Sequence, residues 1–238
     1  MRPIGFSTGA LAKGDFRRGL EILRRHKIEI VELSALRQHE LEPLMSSLDD
    51  LDLDTFEYLS VHAPSRISPG AEDEVVSQLL RLIERDWPVV VHPDAISNAD
   101  AWKPFGDLLC IENTDIRKPI GRTVRELQTM FDALPEASFC FDMGHARQVD
   151  PTMSEAALIL ETFGGRLRQL HVSEVNSSSN HAPLTLASLL AFSKIAYLIP
   201  EEIPVVFETP VHEQLVRREI ACAARALPLP GEAARKIV

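Results

Sequence analysis

Seven acidic or histidine side chains in this sequence each stand at the end of a short apolar run, where they could bind a divalent cation or transfer a proton. Carboxylate oxygens and imidazole nitrogens are common protein ligands of Mn²⁺ and Zn²⁺, and the same groups serve as general acids and bases. Successive members stand about thirty residues apart over much of the chain, so only a repetitive fold could bring them together. They are Glu32, His62, His92, Glu112, Asp142, His171 and Glu208.

The apolar runs themselves predict eight short β-strands that alternate with longer amphipathic stretches. This order is typical of repeated βα units, in which parallel strands are joined by right-handed crossovers. Eight units predict an α/β fold of the (β/α)8 TIM-barrel type, with the active site at the rim where the C-terminal ends of all strands meet. The strands are predicted near residues 3–7, 29–33, 58–62, 87–92, 107–112, 138–142, 167–171 and 204–208, and the helices near 15–26, 36–47, 72–86, 95–102, 122–133, 153–163, 184–196 and 211–225.

Spacing within the predicted units gives two finer expectations. The stretch between His92 and Glu112 holds only about twenty residues, which predicts a short or degenerate helix there. Residues two apart in a strand face the same side, so Cys110 should lie below Glu112 inside the barrel and Cys140 below Asp142. Small inward groups under a polar end suit a filled barrel with its chemistry at the rim.

Composition and charge narrow the class of protein. The 25 basic and 35 acidic residues give a net charge of −10, which disfavours nucleic acid as a partner because the mean field repels a phosphate backbone. The three cysteines lack disulfide or metal-type spacing, and we find neither a secretory segment nor an apolar run of membrane-spanning length. We therefore expect a cytoplasmic protein without a membrane partner. No linker divides the chain, so residues 1–238 are expected to form a single TIM-barrel domain.

Four of the seven groups form an oxygen-rich set suited to a divalent cation. A carboxylate at the end of a run as apolar as that before Glu112 is costly to bury unless something compensates its charge. A structural ion pair is the alternative explanation for Glu112, and capping of the next helix is the alternative for Asp142. The set is Glu112, Asp142, His171 and Glu208.

The other three groups leave more than one role open. His62 and His92 are each followed within two residues by proline at the ends of adjacent strands. Either could be a metal ligand or a rim histidine that touches substrate. Glu32, at the end of the second predicted strand, is taken as a substrate-binding candidate. The sequence has no phosphate-binding loop, nucleophile elbow or dinucleotide fingerprint, so nucleotide chemistry is unsupported.

Short motifs along the chain resemble, in order, those of the xylose isomerase-like TIM-barrel superfamily. This superfamily holds sugar and sugar-phosphate isomerases and epimerases, inosose dehydratases and isomerases, and zinc-dependent apurinic-site endonucleases. The likeness extends from about residue 3 to residue 212, and it is specific for the superfamily rather than for one activity. The motifs are Ile4-Gly5-Phe6-Ser7-Thr8, Val31-Glu32-Leu33, Val61-His62-Ala63-Pro64, Val91-His92-Pro93, Ile111-Glu112-Asn113, Phe141-Asp142-Met143-Gly144-His145, Leu170-His171-Val172-Ser173 and His181-Ala182-Pro183-Leu184.

The isomerase branch of the superfamily implies one divalent ion, which could be Mn²⁺, Zn²⁺ or Mg²⁺. By this resemblance Glu112, Asp142, His171 and Glu208 bind the ion. Glu112 and Glu208 would also exchange a proton on the carbon next to a carbonyl. Isomerases often carry a substrate-binding Arg in the loop after the seventh strand, but residues 173–184 contain no Arg or Lys.

The endonuclease branch implies a larger set of ligands. Its pattern has an Asp two residues before the histidine matched by His181, and this chain has Ser179 there. The implied sets are His62, His92 and Glu112 for a first ion, Glu112 with Asp142, His171 and Glu208 for a second, and His145 with His181 for a third.

Three functional hypotheses follow. The first is a one-metal isomerase or epimerase acting on a sugar or polyol, with or without a phosphate group, and the frequency of this activity in the superfamily favours it. The second is a binuclear zinc phosphoesterase that is not directed at DNA. The third is a non-catalytic barrel that binds a small ligand or a partner protein. The number of tightly bound ions separates the first two, because a proton shuttle needs only one.

Overall fold

Eight parallel strands close into a barrel in the computed structural model, which describes residues 2–227. The strands are β1 Ile4–Ser7, β2 Ile30–Ser34, β3 Tyr58–His62, β4 Val89–Val91, β5 Leu109–Glu112, β6 Ser138–Asp142, β7 Leu167–Val172, β8 Glu174–Val175, β9 His181–Ala182 and β10 Val205–Phe207. Strands β1 to β7 follow one another around the barrel in chain order, and β10 closes it between β7 and β1. The short β8 and β9 form a separate antiparallel pair. This arrangement confirms the predicted TIM barrel.

Helices alternate with the barrel strands at the predicted positions, with two additions. The α-helices are α1 Thr8–Ala12, α2 Phe16–Arg25, α3 Gln38–Ser47, α4 Glu72–Leu79, α5 Ala99–Trp102, α6 Val124–Ala133, α7 Met143–Val149, α8 Ser154–Phe163, α9 Leu186–Ser193 and α10 Val216–Ala226. Short 3₁₀ helices lie at Leu48–Asp50, Leu80–Arg85, Pro93–Ala95, Lys103–Leu108, Gly164–Arg166, Ala196–Leu198 and Glu213–Leu215. Helices α1 and α7 are unpredicted and begin directly after β1 and β6. The helix expected to be short is α5.

Side chains alternate between the two sides of each barrel strand, as the spacing predicts. On β6, Phe139 packs edge-on against Phe131 of α6, with ring centroids 6.0 Å apart. Full burial of such a side chain stabilises the fold by about 1.5–3 kcal/mol. Cys140, the next residue, instead joins Val90 and Cys110 in a separate buried cluster inside the barrel. These modest side chains fill the barrel below its rim and leave the top layer to larger polar groups.

The described barrel covers most of the single domain that we expect for residues 1–238. Residue 1 and residues 228–238 lie outside the described range, and the domain assignment stays a prediction. Between residues 2 and 227, the structure contains no helix that is both long and apolar enough to cross a membrane.

Candidate metal centre

The C-terminal rim of the barrel brings four predicted ligands together. Glu112 and Asp142 end β5 and β6, His171 lies one residue before the end of β7, and Glu208 directly follows β10. Each offers one ligand atom, and these atoms all lie within 4.8 Å of one another. We call Glu112, Asp142, His171 and Glu208 the four-ligand cluster. Residues separated by up to about one hundred positions in sequence therefore meet at one place.

A second cluster consists of His62, His92 and Glu112, and we call it the two-histidine cluster. His62 Nε2 lies 3.1 Å from Glu112 Oε2, and His92 Nε2 lies 3.2 Å from the same oxygen. The other oxygen, Glu112 Oε1, lies 3.4 Å from His171 Nδ1 of the four-ligand cluster. The two oxygens of Glu112 thus face different ligand groups, which is how a carboxylate bridges two cations.

His145 and His181 stand beside these clusters. Together with Asp142 they form a third group whose ligand atoms lie within 4.8 Å of one another. His145 Nδ1 lies 3.5 Å from Asp142 Oδ2, and His181 Nε2 lies 3.7 Å from Glu208 Oε2. The structure therefore places all eight predicted metal ligands around one small volume at the rim.

The hydrogen bonds of His62 show which of its ring nitrogens could bind a metal ion. His62 Nδ1 lies 2.6 Å from the carbonyl oxygen of Ala63, which can only accept, so Nδ1 carries a hydrogen. Nε2 then faces Glu112 Oε2 across 3.1 Å, where a proton or a cation must separate two acceptors. Burial lowers the pKa of His62, but the hydrogen bond to Glu112 and the nearby carboxylates raise it to about 9. The side chains alone therefore hold a proton where a metal ion would bind.

Each member of the four-ligand cluster has a buried polar atom without a hydrogen-bond partner among residues 2–227. Such an atom costs about 1–3 kcal/mol when it stays unsatisfied, and more when it is charged. Because the ligand atoms of these residues lie within 4.8 Å of one another, one cation could satisfy them together. The unpartnered atoms are Glu112 Oε1, Asp142 Oδ2, His171 Nδ1 and Glu208 Oε2.

The pKa values of the three carboxyl groups diverge. Burial raises the pKa of Asp142 to about 7. Burial would also raise the pKa of Glu208, but the positive charge of His171 together with those of other nearby histidines outweighs it and lowers the pKa to about 2. For Glu112, His92 and His171 likewise outweigh burial and hold the pKa well below its usual value. Two carboxylates thus stay charged because imidazolium groups surround them, and a divalent cation could take over that role.

Ligand spacing provides a test of fit. Zinc bonds of about 2.0–2.2 Å in a tetrahedral site place neighbouring ligand atoms roughly 3.3 Å apart. Glu112 Oε2 lies 3.1 and 3.2 Å from the ring nitrogens of His62 and His92. His171 Nδ1 lies 3.4 Å from Glu112 Oε1 and 3.6 Å from Glu208 Oε2. These distances and the mixed nitrogen and oxygen donors fit zinc or manganese in both clusters, whereas magnesium prefers oxygen ligands.

Asp142 combines the two roles between which the sequence left a choice. Its Oδ1 accepts a hydrogen bond from the backbone N–H of His145 at 2.6 Å and caps α7, while Oδ2 stays available to the cluster. Asn113, unforeseen from the sequence, holds the end of β6 by bonding both the N–H and the carbonyl of Asp142 at 2.8 Å. A Cβ at Gly144 would lie 2.7 Å from the Ser173 carbonyl oxygen, so this close approach of α7 requires glycine.

Glu32 lies beneath the clusters instead of at the mouth of the site. Its side chain is fully buried, and its Oε2 lies 2.9 Å from His171 Nε2. It is absent from the residues that line the cavity above the rim. This position favours a role behind the metal ligand over the substrate contact that we predicted. Gln169 and Tyr58 continue the same hydrogen-bonded chain and were not foreseen, although Gln169 stands two residues before His171 and so faces the same side of β7.

A cavity of about 860 Å³ opens above the clusters. This volume suits a small molecule. Four histidines and Glu208 line it, so the predicted ligands also border the space that a substrate would occupy. The His181 side chain is 30% exposed, whereas those of His92 and Glu208 are 10% and 9% exposed, so His181 is the most open to solvent of the three. The histidines are His62, His92, His145 and His181.

Five basic side chains from several loops also line the cavity, although the loop after β7 supplies none. Three of them form ion pairs: Arg37 with Glu40, Arg117 with Asp115, and Lys118 with Asp94. The other two have no acidic partner within 4.0 Å in the described part of the chain, and they are Lys13 and Arg66.

Cations from other parts of the chain contact the loop after β7, and Arg147 of α7 pairs there with Glu174. Arg117, in the loop after β5, donates a hydrogen bond to the carbonyl oxygen of Ser179 at 2.9 Å. The hydroxyl of Ser179, where the endonuclease pattern has an Asp, bonds Gln148 at 2.7 Å. A guanidinium therefore reaches this region by tertiary contact, which sequence order alone could not reveal.

The chain is similar to known proteins in its three-dimensional structure, whereas comparisons of its sequence find no match. No protein-family model matches the chain, and no curated protein sequence matches it. Three similar solved structures are the IolI protein with a bound zinc atom (11% identity, TM-score 0.63, covering 95% of this chain and 98% of that chain), endonuclease IV from Thermus thermophilus (18%, 0.60, 94% and 99%) and a xylose isomerase domain protein from Alicyclobacillus acidocaldarius subsp. acidocaldarius (15%, 0.62, 95% and 99%). The chain has the xylose isomerase-like TIM-barrel fold.

These alignments cover 94–95% of this chain and 98–99% of the compared chains. Identities of 11–18% establish the fold and leave the reaction open. The choice among activities therefore depends on the side chains at the rim.

Proposed function

We propose that this chain is a divalent-metal-dependent phosphoester hydrolase in which Glu112 bridges two ions. The observation that carries the proposal is the division of Glu112 between two clusters, with Oε2 facing His62 and His92 and Oε1 facing His171. A proton shuttle around one ion does not use the two-histidine cluster as metal ligands. A two-ion site uses both clusters as ligands. The geometry thus favours the hydrolase over the isomerase that superfamily frequency favoured.

The two clusters would hold one ion each. His62 and His92 would bind the first, Asp142, His171 and Glu208 the second, and Glu112 both. Such a pair supplies Lewis-acid polarisation of a phosphoryl oxygen and activation of a nucleophilic water. The protein holds the ligands rigidly, because every one of them lies at or next to the end of a barrel strand.

His181 and Glu208 are the groups placed to move protons. Ser173 Oγ lies 2.7 Å from His181 Nδ1, so the other ring nitrogen, Nε2, faces Glu208 at the cavity. Burial lowers the pKa of His181, which keeps the ring neutral and able to accept a proton near pH 7. We assign His181 the proton transfer between the nucleophile or leaving group and the cavity. This role differs from the third metal site that the endonuclease pattern implies, for which Ser179 provides no carboxylate.

The substrate that fits is a small anionic phosphoester. The cavity of about 860 Å³ accepts a compact molecule, and Lys13 and Arg66 at its lining are free of acidic partners among residues 2–227. The net charge of −10 opposes binding of a long polyanion. Similarity to an endonuclease, a class of phosphodiesterase, supports the bond type but not the polymer.

A one-metal isomerase or epimerase is the second candidate, and one observation favours it. Glu112 Oε1 and Glu208 Oε2 lie 3.4 and 3.6 Å from the same atom, His171 Nδ1. Two carboxylates beside one ion site could remove a proton from one face of a substrate carbon and return it to another. This candidate leaves His62 and His92 for hydrogen bonds to a sugar or polyol hydroxyl.

Metal counting and two assays separate these candidates. Elemental analysis of protein purified without chelators should give two divalent ions per chain for the hydrolase and one for the isomerase. Hydrolysis of p-nitrophenyl phosphate and bis(p-nitrophenyl) phosphate, measured with zinc or manganese added, should appear only with a two-ion site. Incorporation of solvent deuterium into a panel of sugars and polyols, with one ion bound and no phosphatase activity, would reject the hydrolase. Absence of any bound ion would reject both.

A further inference from the structure

We infer that Glu32 is a positioning residue that holds a hydrogen on His171 Nε2 and so presents Nδ1 of that ring as a metal ligand. Gln169 and Tyr58 assist by fixing the direction in which the hydrogen bonds run. The inference rests on the proposed function, because it concerns how tightly the four-ligand cluster binds its ion. It gives a task to the buried Glu32 and Gln169 and the half-buried Tyr58, which the reaction itself does not use.

Three side chains converge on one carboxylate oxygen of Glu32. Glu32 Oε2 accepts hydrogen bonds from Gln169 Nε2 at 2.7 Å and from Ser60 Oγ at 3.4 Å, and it lies 2.9 Å from His171 Nε2. Glu32, Gln169, His171 and Ser60 are all fully buried. At such depth the surrounding side chains decide where the hydrogens lie.

The Glu32 carboxylate and the Tyr58 hydroxyl together set the direction of the Gln169 amide. Tyr58 OH lies 2.7 Å from Gln169 Oε1, and a glutamine carbonyl oxygen can only accept. Burial raises the pKa of Tyr58 well above its usual value, so the phenol keeps its hydrogen and donates it. The amide nitrogen of Gln169 is therefore turned toward the barrel centre, where Glu32 and His171 lie.

Gln169 and Glu32 compete for a hydrogen bond with His171 Nε2. Gln169 Nε2 lies 2.8 Å from His171 Nε2, so the amide could donate a hydrogen to that ring nitrogen. The ring would then carry its hydrogen on Nδ1, the atom that the four-ligand cluster needs as a ligand. The Glu32 carboxylate prevents this, because it can only accept and so favours a hydrogen on His171 Nε2. Nδ1 is left facing Glu112 and Glu208, and it is buried without a hydrogen-bond partner among residues 2–227.

Glu32→Gln should undo this arrangement with little change of shape. The new amide can donate as well as accept, so the hydrogen on His171 Nε2 is no longer enforced. Loss of a carboxylate behind a metal-binding histidine typically lowers affinity by about 10–100-fold. The effect should fall on one ion only, since Glu32 contacts no member of the two-histidine cluster in the hydrogen bonds described.

The experiment is a competition titration of the full chain with zinc and a chromophoric chelator, comparing wild type, Glu32→Gln and Ser60→Ala. Wild type should bind two ions. Glu32→Gln should bind one of them about 10–100-fold more weakly and the other unchanged. Ser60→Ala is the matched control, since it removes a neutral donor from the same oxygen and keeps the carboxylate, and both affinities should stay within about twofold. Equal weakening of both ions in Glu32→Gln would indicate general damage and overturn the inference.

A spectroscopic signature provides a second readout. In ¹⁵N-labelled protein, the Nε2 hydrogen of His171 should give a low-field, slowly exchanging proton signal, with or without zinc, that shifts or disappears in Glu32→Gln. Tyr58→Phe tests the same network if Glu32→Gln fails to fold, and it should broaden that signal and weaken one ion by a smaller factor. An unchanged signal and unchanged zinc affinity in the variants would contradict the positioning role of Glu32 and leave the proposed function standing. Absence of zinc from wild type would instead contradict the proposed function.

Discussion

Glu72 and Glu112 are both buried acids in this barrel, but their surroundings differ in one respect. Glu72, at the start of α4, accepts hydrogen bonds from Ser97 N at 2.9 Å, Asn98 N at 3.1 Å and Trp102 Nε1 at 2.8 Å, and it also bonds the Ser97 hydroxyl. Both of its oxygens are satisfied by the short unit around α5. Glu112 is fully buried, faces four histidines, and keeps Oε1 without a hydrogen-bond partner in the described residues.

This difference distinguishes a carboxylate with satisfied hydrogen bonds from one that could hold a cation. Glu72 stabilises the segment after β4 through its bonds to Ser97, Asn98 and Trp102. Glu112 keeps one oxygen without a hydrogen-bond partner in the described residues, and the surrounding histidines keep it charged, a role that a metal ion could take over. Burial of an acid is therefore a poor sign of a site, and unsatisfied atoms that converge on one point are a better sign.

The largest expected effect is that of Glu112→Gln. An amide cannot bridge two cations, so we expect loss of both ions and a fall in phosphoester hydrolysis of more than about 100-fold, beyond the 10–100-fold typical of residues behind a ligand. The variant should remain folded, because the amide has nearly the size of the carboxylate and the neighbouring histidines can release their protons. Elemental analysis, circular dichroism and an activity assay check these outcomes. Retained metal and activity would place Glu112 with Glu72 among the structural acids.

His62→Ala combined with His92→Ala should remove one ion and leave the other. The two-histidine cluster would lose two of its three ligands, whereas the four-ligand cluster keeps all of its members. We expect a zinc content near one per chain and loss of hydrolysis. An unchanged zinc content would turn these histidines into substrate contacts and favour the isomerase.

Zinc affinity should fall as pH falls from 9 to 6. Without a cation, the hydrogen bond to Glu112 and nearby carboxylates raise the pKa of His62 to about 9, so below that pH zinc must displace a proton. Each displaced proton lowers the apparent affinity about tenfold per pH unit. Calorimetric titrations in buffers of different ionisation enthalpy measure the protons released. Affinity independent of pH between 6 and 8 would show that no protonated histidine occupies the site.

Glu72→Gln should show the opposite pattern to Glu112→Gln. We expect unfolding free energy to fall by about 1–3 kcal/mol, because the N–H donors of Ser97, Asn98 and Trp102 lose a charged acceptor. Zinc content should not change. Chemical denaturation together with elemental analysis tests both halves, and loss of zinc without loss of stability would contradict the structural role.

The smallest effect should come from the cations at the cavity. Lys13→Met and Arg66→Met should each raise KM for a phosphorylated substrate about two- to fivefold with little change in kcat, as expected for exposed charges. Arg18→Met, on the exposed face of α2, is the control and should leave KM unchanged. A KM equal to that of wild type in all three variants would contradict the proposal of an anionic substrate.

The strand pattern predicted more of this molecule than its loops did. Strand ends place Glu112, Asp142, His171 and Glu208 at equivalent points of a repeating unit, and a closed barrel turns equivalent points into neighbours. Period-two alternation also placed Cys110 and Cys140 inside the barrel correctly. The prediction of short α5 succeeded because chain length alone limits what twenty residues can form.

What the sequence did not predict depends on tertiary contacts. The sequence placed Glu32 at the end of a strand, but β2 continues to Ser34, so the carboxylate of Glu32 lies one layer below the rim against His171. Helices α1 and α7 were missed because their first residues, Thr8 and Met143, directly follow the strands that carry rim residues. The cation nearest to Ser179 is Arg117, which stands far from it in sequence and reaches it through folding alone.

Anomalous diffraction from crystals of the zinc-loaded full chain, recorded at the zinc absorption edge, shows directly whether Glu112 bridges two ions. We predict two peaks, one bonded to His62, His92 and Glu112 Oε2, and the other to Glu112 Oε1, Asp142, His171 and Glu208. Zinc bound elsewhere, with no peak in bonding distance of either Glu112 oxygen, would contradict the proposed centre.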